Sequence, residues 1–188
     1  MKLTRKLTAL LMALVLCLSL VPFAFAEEDN LVLDWDEDTV AALKLLGQST
    51  DRYLIEDIDV LIWMPDDITP QALTQEDIDS GMIAYFSDAD ATCGISVLKV
   101  DVGMTLEEYV ATLAGESDVS ELQDVYLNGY NFVGYSLEEK DCTCLAAETE
   151  SGKIVEFTFY PASDAEFSVA LVFIMASIQS ADEVRAAA

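Results

Sequence analysis

The stretch from Gly152 to Ile178 constrains the fold of this chain most, because it joins a strand pattern directly to an almost wholly apolar helix. Residues 153–160 alternate apolar and polar side chains, which is the period of a strand with one buried face. Pro161 has no amide hydrogen and is expected to end the strand. Apolar residues from Phe167 to Ile178 then recur at the spacing of a helix face. We therefore predict a half-buried strand followed by a buried helix.

This helix is predicted over Ser163–Gln179, starting at a capping box. In that motif the Ser163 hydroxyl accepts an amide hydrogen bond while the Glu166 carboxylate reaches back to the cap. The opposite helix face is apolar too, so either the segment Leu31–Gly47 or a partner must cover it. A membrane span is disfavoured, because the uninterrupted apolar run Val169–Ala176 has eight residues, whereas a span needs about 20.

Residues 1–26 have the pattern of a cleavable signal peptide. Three basic residues precede the apolar run Leu7–Val21, and a small-x-small motif follows at 24–26. We expect cleavage between Ala26 and Glu27, and hence a secreted, extracellular protein. An uncleaved anchor is disfavoured because the apolar run is short for a span.

Charge narrows the choice of partners. Processing after residue 26 would shorten the chain from 188 to 162 residues, which is enough for one domain with a hydrophobic core. All 35 acidic residues follow the cleavage site and three of the nine basic ones precede it, so six bases would face 35 acids. Nucleic acid and anionic membrane surfaces are poor partners for such a protein, whereas cations and basic proteins are suitable. The charge also has a plain explanation, which is the solubility of an exported protein.

Three cysteines would remain after processing, at Cys93, Cys142 and Cys144. An exported protein can keep disulfides, but an odd number leaves at least one thiol free or paired between molecules. Cys142 and Cys144 are two positions apart on a predicted strand, so both should point to the same face. We expect a bond from Cys93 to one of them, because a direct bond between the other two would be strained. Metal binding by this Cys-Thr-Cys sequence is disfavoured, because the chain offers neither a histidine nor a second pair of cysteines as further ligands.

The processed chain is predicted to be one domain with additions at both ends. Residues 27–52 should add a strand, Leu31–Trp35, and a short helix that ends at Gly47. Residues 53–180 should form the main α+β domain. Residues 181–188 are predicted to be an unstructured tail.

Local signals in the main domain predict many strands and one well-marked helix. Thr105 and Glu108 form a capping box that starts this helix. The dipeptide Asn128-Gly129 between two β-prone runs is a strong hairpin signal, because a type I′ turn needs positive φ at both central residues. The remaining predicted elements are a strand pair over Tyr53–Met64, a helical turn over Gln75–Ile78, a hairpin of Met82–Phe86 with Cys93–Val102, and a strand over Cys142–Thr149.

Four segments carry a resemblance to a known family. They are the strand end Ile62-Trp63-Met64-Pro65, the helix start Met104-Thr105-Leu106-Glu107-Glu108-Tyr109, the turn Leu127-Asn128-Gly129-Tyr130, and the ending from Phe167 to Ile178. Over Tyr53–Gln179 the chain resembles the PsbP-like α/β/α sandwich, the fold of a photosynthetic oxygen-evolving-complex subunit and of a small Ran-binding protein. Within that family it is similar to uncharacterised secreted members from Gram-positive anaerobes. The resemblance implies a single α+β domain with an antiparallel sheet flanked by helices. It carries over no catalytic residue, because the fold hosts binding proteins with unrelated partners.

The residue types needed for common catalytic sites are missing. The chain has no histidine, which removes Ser-His-Asp and Cys-His nucleophile systems and histidine-based metal sites. No Gly-rich phosphate loop precedes a helix, so no nucleotide cofactor is expected. Carboxylate pairs suited to a hydrolase arise easily by chance among 35 acids. Asp88 and Asp90 are weak candidates for calcium, because their segment lacks the glycine and glutamate of an EF-hand loop.

These observations favour a secreted, acidic, non-enzymatic α+β domain that binds a protein or a cell-envelope ligand. The second hypothesis is an extracellular protein that responds to cations such as calcium, because its acidic groups repel one another. The third is a carboxylate-based hydrolase, which would need two acids converging in a cleft. No cofactor, nucleic-acid partner or membrane span in the processed chain is expected.

Overall fold

The computed structural model describes residues 31–100, 103–113, 115, 119–120, 122–149 and 152–187. The predicted signal peptide, its cleavage site at Ala26 and Glu27, and the first four residues of the N-terminal extension lie outside these residues. Within them the chain forms five α-helices, a short 3-10 helix and eleven strands in two sheets. The α+β class predicted from the sequence is confirmed.

Both sheets are built from short strands. The strands are β1 (Leu31–Leu33), β2 (Arg52–Ile55), β3 (Val60–Trp63), β4 (Thr69–Pro70), β5 (Met82–Ser87), β6 (Gly94–Val100), β7 (Gln123–Leu127), β8 (Tyr130–Leu137), β9 (Cys142–Glu148), β10 (Ile154–Tyr160) and β11 (Gln179–Ser180). The helices are α1 (Glu37–Leu46), α2 (Gln75–Asp79), α3 (Leu106–Leu113), α4 (Ala165–Ala176) and α5 (Ala181–Ala187), with the 3-10 helix at Glu138–Lys140. The large sheet has the order β1-β7-β8-β9-β10-β6-β5-β4, and the small sheet has the order β11-β3-β2.

Neighbouring strands of the described residues pair antiparallel, as predicted, except at one edge. There β1 runs parallel to β7, with Leu31 opposite Val125. A parallel pair needs a long crossover connection, and most of the chain lies between these two strands. The sequence pattern gave no sign of this pairing, because the partners are far apart along the chain.

Helices pack on both faces of the large sheet, which confirms the predicted α/β/α arrangement. In β10 the side chains of Val155, Phe157 and Phe159 are buried in the main core, together with residues of α4. The opposite face carries a smaller cluster packed against α3. The polar side of β10 is therefore half-buried under a helix, whereas the alternating pattern had predicted one buried face.

The N-terminal extension covers part of the second apolar face of α4. Strand β1 lies beside this helix at the edge of the large sheet. The Phe173 ring of α4 contacts the Trp63 ring edge-on, with centroids 6.4 Å apart, and Trp63 contacts Trp35 at the same distance. The chain itself therefore covers part of this face, on which Phe173, Val169 and Val172 are all half-buried.

The start of α4 differs from the sequence prediction. Asp164 is the cap, and its carboxylate accepts a hydrogen bond from the Phe167 amide at 2.8 Å. The Ser163 hydroxyl instead donates to the Asp141 carboxylate at 2.6 Å. The predicted capping box of Ser163 with Glu166 is therefore wrong, because a residue 22 positions away engages the serine. None of the helices within the described residues combines the length and apolar composition that a bilayer crossing requires.

The C-terminal tail is helical, which corrects the prediction of an unstructured segment 181–188. The Ala181 amide donates to the Asp59 carbonyl at 2.9 Å. Arg185 Nη1 lies 3.2 Å from the Asp59 carboxylate and 2.9 Å from that of Asp182. Arg185 and Asp59 are 126 positions apart. Helix α5 is therefore tied down by a distant turn that local sequence signals do not reveal.

Several local predictions are confirmed. The Thr105 amide donates to the Glu108 carboxylate at 2.9 Å and the Glu108 amide donates to the Thr105 hydroxyl at 3.2 Å, which completes the capping box of α3. Asn128 and Gly129 have φ of 48° and 87° and join β7 to β8 in a hairpin. The β2–β3 pair, the β5–β6 hairpin and the capped turn α2 also form as predicted.

Candidate functional site

A cleft opens where the turn between β2 and β3 faces the large sheet. Its volume is about 490 Å³, a size typical of small-ligand pockets, which span roughly 300–1,000 Å³. The lining comes mainly from residues 56–60, 130–132, 147–149 and 178–180, with two residues from β10 and single residues from β6 and α5. We call this feature the acidic cleft.

The floor of the acidic cleft is apolar. Phe132 of β8 and Val155 and Phe157 of β10 line it, and all three are buried. They belong to the sheet face on which α4 packs, because alternate strand residues point to the same face. Ala147 of β9 also lines the cleft, and its small side chain is half-buried. An aliphatic or aromatic group can therefore pack on this floor.

The turn between β2 and β3 forms one wall, and three contacts fix it. Lys99 of β6 donates from Nζ to the Asp57 carbonyl at 2.5 Å. The Asp59 carbonyl accepts the Ala181 amide at 2.9 Å, and its carboxylate pairs with Arg185 at 3.2 Å. Asp59 also has a φ of 51°, a left-handed conformation that aspartate tolerates better than most residues. The wall is therefore held from both the sheet and the C-terminal helix.

Five acidic residues line the cleft: Glu56, Asp57, Asp59, Glu148 and Asp182, and the carboxylate of Glu148 lies on the opposite face of the sheet, toward α3. Asp59 and Asp182 share Arg185. Glu148 accepts a hydrogen bond from the Leu106 amide at 3.0 Å and so helps to hold the first turn of α3. The Glu56 and Asp57 side chains are exposed and make no hydrogen bond or ion pair with the described part of the chain. The rim therefore presents two unpaired negative charges beside the apolar floor.

A second polar cluster lies on the opposite face of the large sheet, where α3 packs. The Glu156 carboxylate accepts hydrogen bonds from the hydroxyls of Tyr109, at 2.6 Å, and Tyr135. Burial, together with the Glu156 charge, raises the pKa of both tyrosines. Both hydroxyls therefore stay protonated and donate hydrogen bonds to Glu156. Thr158 donates to the other carboxylate oxygen at 3.4 Å. The cluster attaches α3 to the sheet.

The three cysteines are free thiols in the structure. Cys142 and Cys144 point to the same face, as predicted, and are buried in the smaller core cluster. Cys93 packs against the main core on the other face. The expected bond from Cys93 to one of the other two is not formed, because the sheet separates them. Burial raises the pKa of all three thiols.

The two calcium candidates do not come together in a cation site. The Asp88 carboxylate accepts hydrogen bonds from the Thr92 amide at 2.7 Å, the Thr92 hydroxyl at 2.6 Å and the Cys93 amide at 3.1 Å. The bond from the Thr92 hydroxyl lowers the pKa of Asp88. Asp90 is exposed on the same loop. Across the described residues, no group of three or more acidic or cysteine side chains is placed to hold a metal ion.

Sequence reasoning missed both the acidic cleft and the Glu156 cluster. An acid-rich turn, Glu56-Asp57-Ile58-Asp59, between two strands was the available signal for the cleft wall. No local signal linked that turn to Glu148 or Asp182, which lie far along the chain. Glu156 was assigned to a polar strand face, and no local signal placed helix α3 against that residue.

Comparison with known proteins adds a likeness of fold. No protein-family model and no curated protein matches the chain. Among solved structures it is similar to cyanobacterial PsbP from Synechocystis sp. PCC 6803, with a TM-score of 0.47 and 15% sequence identity over 69% of this chain and 91% of that chain. The α+β class stands on the helices and strands described above. The narrower resemblance to secreted members from Gram-positive anaerobes stays a prediction.

Proposed function

We propose that this chain is an exported, acidic, non-catalytic domain that binds a protein or another cell-envelope ligand in the acidic cleft. The observation that carries the proposal is the cleft itself, about 490 Å³ with an apolar floor and an acidic rim. Binding sites are typically concave and mostly apolar, with a few polar groups that fix the orientation of the ligand. Export is proposed from the signal-like pattern of residues 1–26.

Binding fits the rim of the cleft better than hydrolysis does. A carboxylate hydrolase commonly needs one acid that burial keeps protonated beside a second acid that stays ionised. Glu56 and Asp57 are exposed on a turn, while Asp59 and Asp182 are both held by Arg185. This arrangement supports the attraction of positively charged groups and offers no buried acid for proton transfer.

The proposal is tested by saturable binding to the cells that make the protein. The Ala147→Trp substitution would fill the floor of the cleft, and Ala41→Trp would place the same ring on the exposed side of α1 as a matched control. We expect labelled parent protein and A41W to bind equally, and A147W to bind at least tenfold more weakly. Equal binding by all three would remove the cleft as the site. An absence of saturable binding by the parent, or efficient turnover in a broad substrate screen, would contradict the function.

Export has its own direct test. The first residue of the protein recovered from the culture medium should be Glu27, because the small residues at positions 24 and 26 suit signal peptidase. Protein that remains inside the cell and starts at Met1 would contradict export.

A further inference from the structure

We infer that the acidic cleft takes the side chain of a lysine or arginine, presented by an extended segment of a basic and partly apolar partner protein. The inference depends on the proposed function of the cleft and adds the chemical class of the ligand. Three features of the cleft lead to it: the charge of the rim, the apolar floor, and a basic side chain of the chain itself that the rim already holds.

The charge of the rim favours a cation. Four carboxylates, of Glu56, Asp57, Asp59 and Asp182, stand at the rim against two basic side chains, Lys99 and Arg185. The Lys99 ammonium donates to the Asp57 carbonyl at 2.5 Å and keeps its charge, while Arg185 pairs with Asp59 and Asp182, so acids still outnumber bases at the rim. An anionic ligand would therefore meet net repulsion here, whereas an ammonium or guanidinium group would be attracted.

The floor favours a cation that has an aliphatic stem. Lysine and arginine pack their methylene groups on apolar surface while keeping the charged head in water. In the cleft, the half-buried side chains of Val60 and Ala147 supply such a surface beside the buried Phe132 and Phe157, and the carboxylates of Glu56 and Asp57 lie in the same lining. The Tyr130 ring also lines the cleft and is 42% exposed, so a cation can lie against its face. A bare metal ion would contact only the carboxylates of the rim and would make no apolar contact with the floor.

The chain itself shows that this rim accepts a basic side chain. Arg185 lies between Asp59 and Asp182, with Nη1 at 3.2 Å and 2.9 Å from their carboxylates. A second basic group from a partner would find Glu56 and Asp57 on the same turn. Exposed ion pairs of this kind are weak one at a time, so we expect affinity to come from several basic residues and the buried stem together.

The charge of the whole chain supports a protein partner over a small amine. The formal net charge is −26. A charge of this size attracts an oppositely charged macromolecule over longer distances than the rim carboxylates alone could. A segment with alternating basic and apolar side chains can place one of them on the floor while its neighbours meet the rim. A free polyamine has the charge but no neighbouring apolar side chains.

The test is a titration of the full processed protein with defined peptides. The probe is an acetylated and amidated Leu-Lys-Leu-Lys-Leu peptide, compared with the same peptide carrying acetyl-lysine, and with spermidine. We expect the lysine peptide to bind at least tenfold more tightly than either comparison compound. The double variant Glu56→Gln with Asp57→Asn should weaken it by at least fivefold. The double variant Glu37→Gln with Asp38→Asn, which removes the same charge from the exposed start of α1, should leave it within twofold.

Several results would overturn the inference. Equal binding of the acetyl-lysine peptide would show that only the apolar contact matters, and equal loss in both double variants would show nonspecific attraction. Equal binding of spermidine would assign the cleft to small amines. Cell-surface binding that A147W abolishes but the lysine peptide does not compete with would reject the ligand class while leaving the proposed function intact. Cell-surface binding unaffected by A147W would instead remove the cleft as the binding site, on which both the inference and the proposed function depend.

Discussion

At the residue scale, Asn128 does more than shape a hairpin turn. Its side-chain oxygen accepts hydrogen bonds from the Trp35 amide at 2.9 Å and from Gln179 Nε2 at 3.0 Å. Its side-chain nitrogen donates to the carbonyls of Ala176 at 2.7 Å and Ile178 at 2.8 Å. One amide group therefore joins the N-terminal extension, the β7–β8 turn and the end of α4.

Two substitutions of Asn128 separate its role in the hairpin turn from the role of its side-chain hydrogen bonds. We expect Asn128→Gly to keep the turn, which needs a φ of 48°, and to lower the free energy of unfolding by about 2 kcal/mol because four hydrogen bonds are lost. Asn128→Ala should cost about 1 kcal/mol more, because alanine disfavours the left-handed conformation. Urea unfolding measures both. A glycine variant as stable as the parent would show that the four bonds contribute nothing.

The hydrogen bonds from Tyr109 and Tyr135 to Glu156 predict that the protein loses stability at alkaline pH. Burial and the Glu156 charge raise the pKa of Tyr109 and Tyr135 in the folded state above the unfolded value, which is about 10. Their contribution to stability is therefore complete below pH of about 10 and is lost as the pH rises above it. The Tyr135→Phe variant should be less stable than the parent at neutral pH, yet its stability should fall less steeply above pH of about 10. Parallel curves for parent and variant in urea unfolding would contradict this.

The thiols give a prediction about redox state. Burial raises the pKa of all three thiols, so access to solvent decides the order of reaction, and Ellman's reagent should modify the native protein first at the half-buried Cys93. The other two should react only on unfolding, to a total of three thiols in the processed protein, which would lack Cys17. The Cys93→Ser variant serves as the control and should lose the early phase. A total of one thiol in denaturant would mean that a disulfide forms after all.

At the scale of the elements, the cap of α4 is the feature that the sequence misassigned. We expect Asp164→Ala to lower the free energy of unfolding by about 1 kcal/mol, because the Phe167 amide loses its acceptor. Glu166→Gln should change it by about 0.3 kcal/mol, the size of a helix-dipole effect at an exposed site. The opposite ranking in thermal or urea unfolding would restore the capping box predicted with Ser163.

Most elements were predictable because their signals are local. The capping box of Thr105 and Glu108 and the Asn-Gly turn each span four residues or fewer, and local geometry alone specifies them. The errors share a cause, which is a partner far along the chain. Ser163 is engaged by Asp141, α5 is held by Asp59, and the polar side of β10 is covered by α3. The acidic cleft was missed for the same reason, since its lining comes from several separate strands.

At the scale of the whole molecule, the excess of acidic side chains should make stability depend on salt. The formal net charge of −26 implies self-repulsion, which screening relieves as the Debye length falls from about 30 Å at 0.01 M to about 10 Å at 0.1 M. The melting temperature should therefore rise over this range of sodium chloride. Calcium and magnesium at equal ionic strength should have equal effects, because the described residues form no group of metal ligands. A shift specific to calcium would revive the hypothesis of a calcium-responsive protein.

The acidic cleft brings the three scales together: a turn held by Lys99 and Arg185, an apolar floor from three strands, and an acidic molecule around them. Backbone amide chemical shifts of the processed protein, recorded while the lysine peptide is added, test the cleft as the binding site most directly. We predict that the largest shifts occur at residues 56–59, Lys99, Ala147 and Phe157. Shifts concentrated elsewhere, such as on the exposed strand β2, or spread evenly over the acidic surface, would contradict a binding site in the cleft.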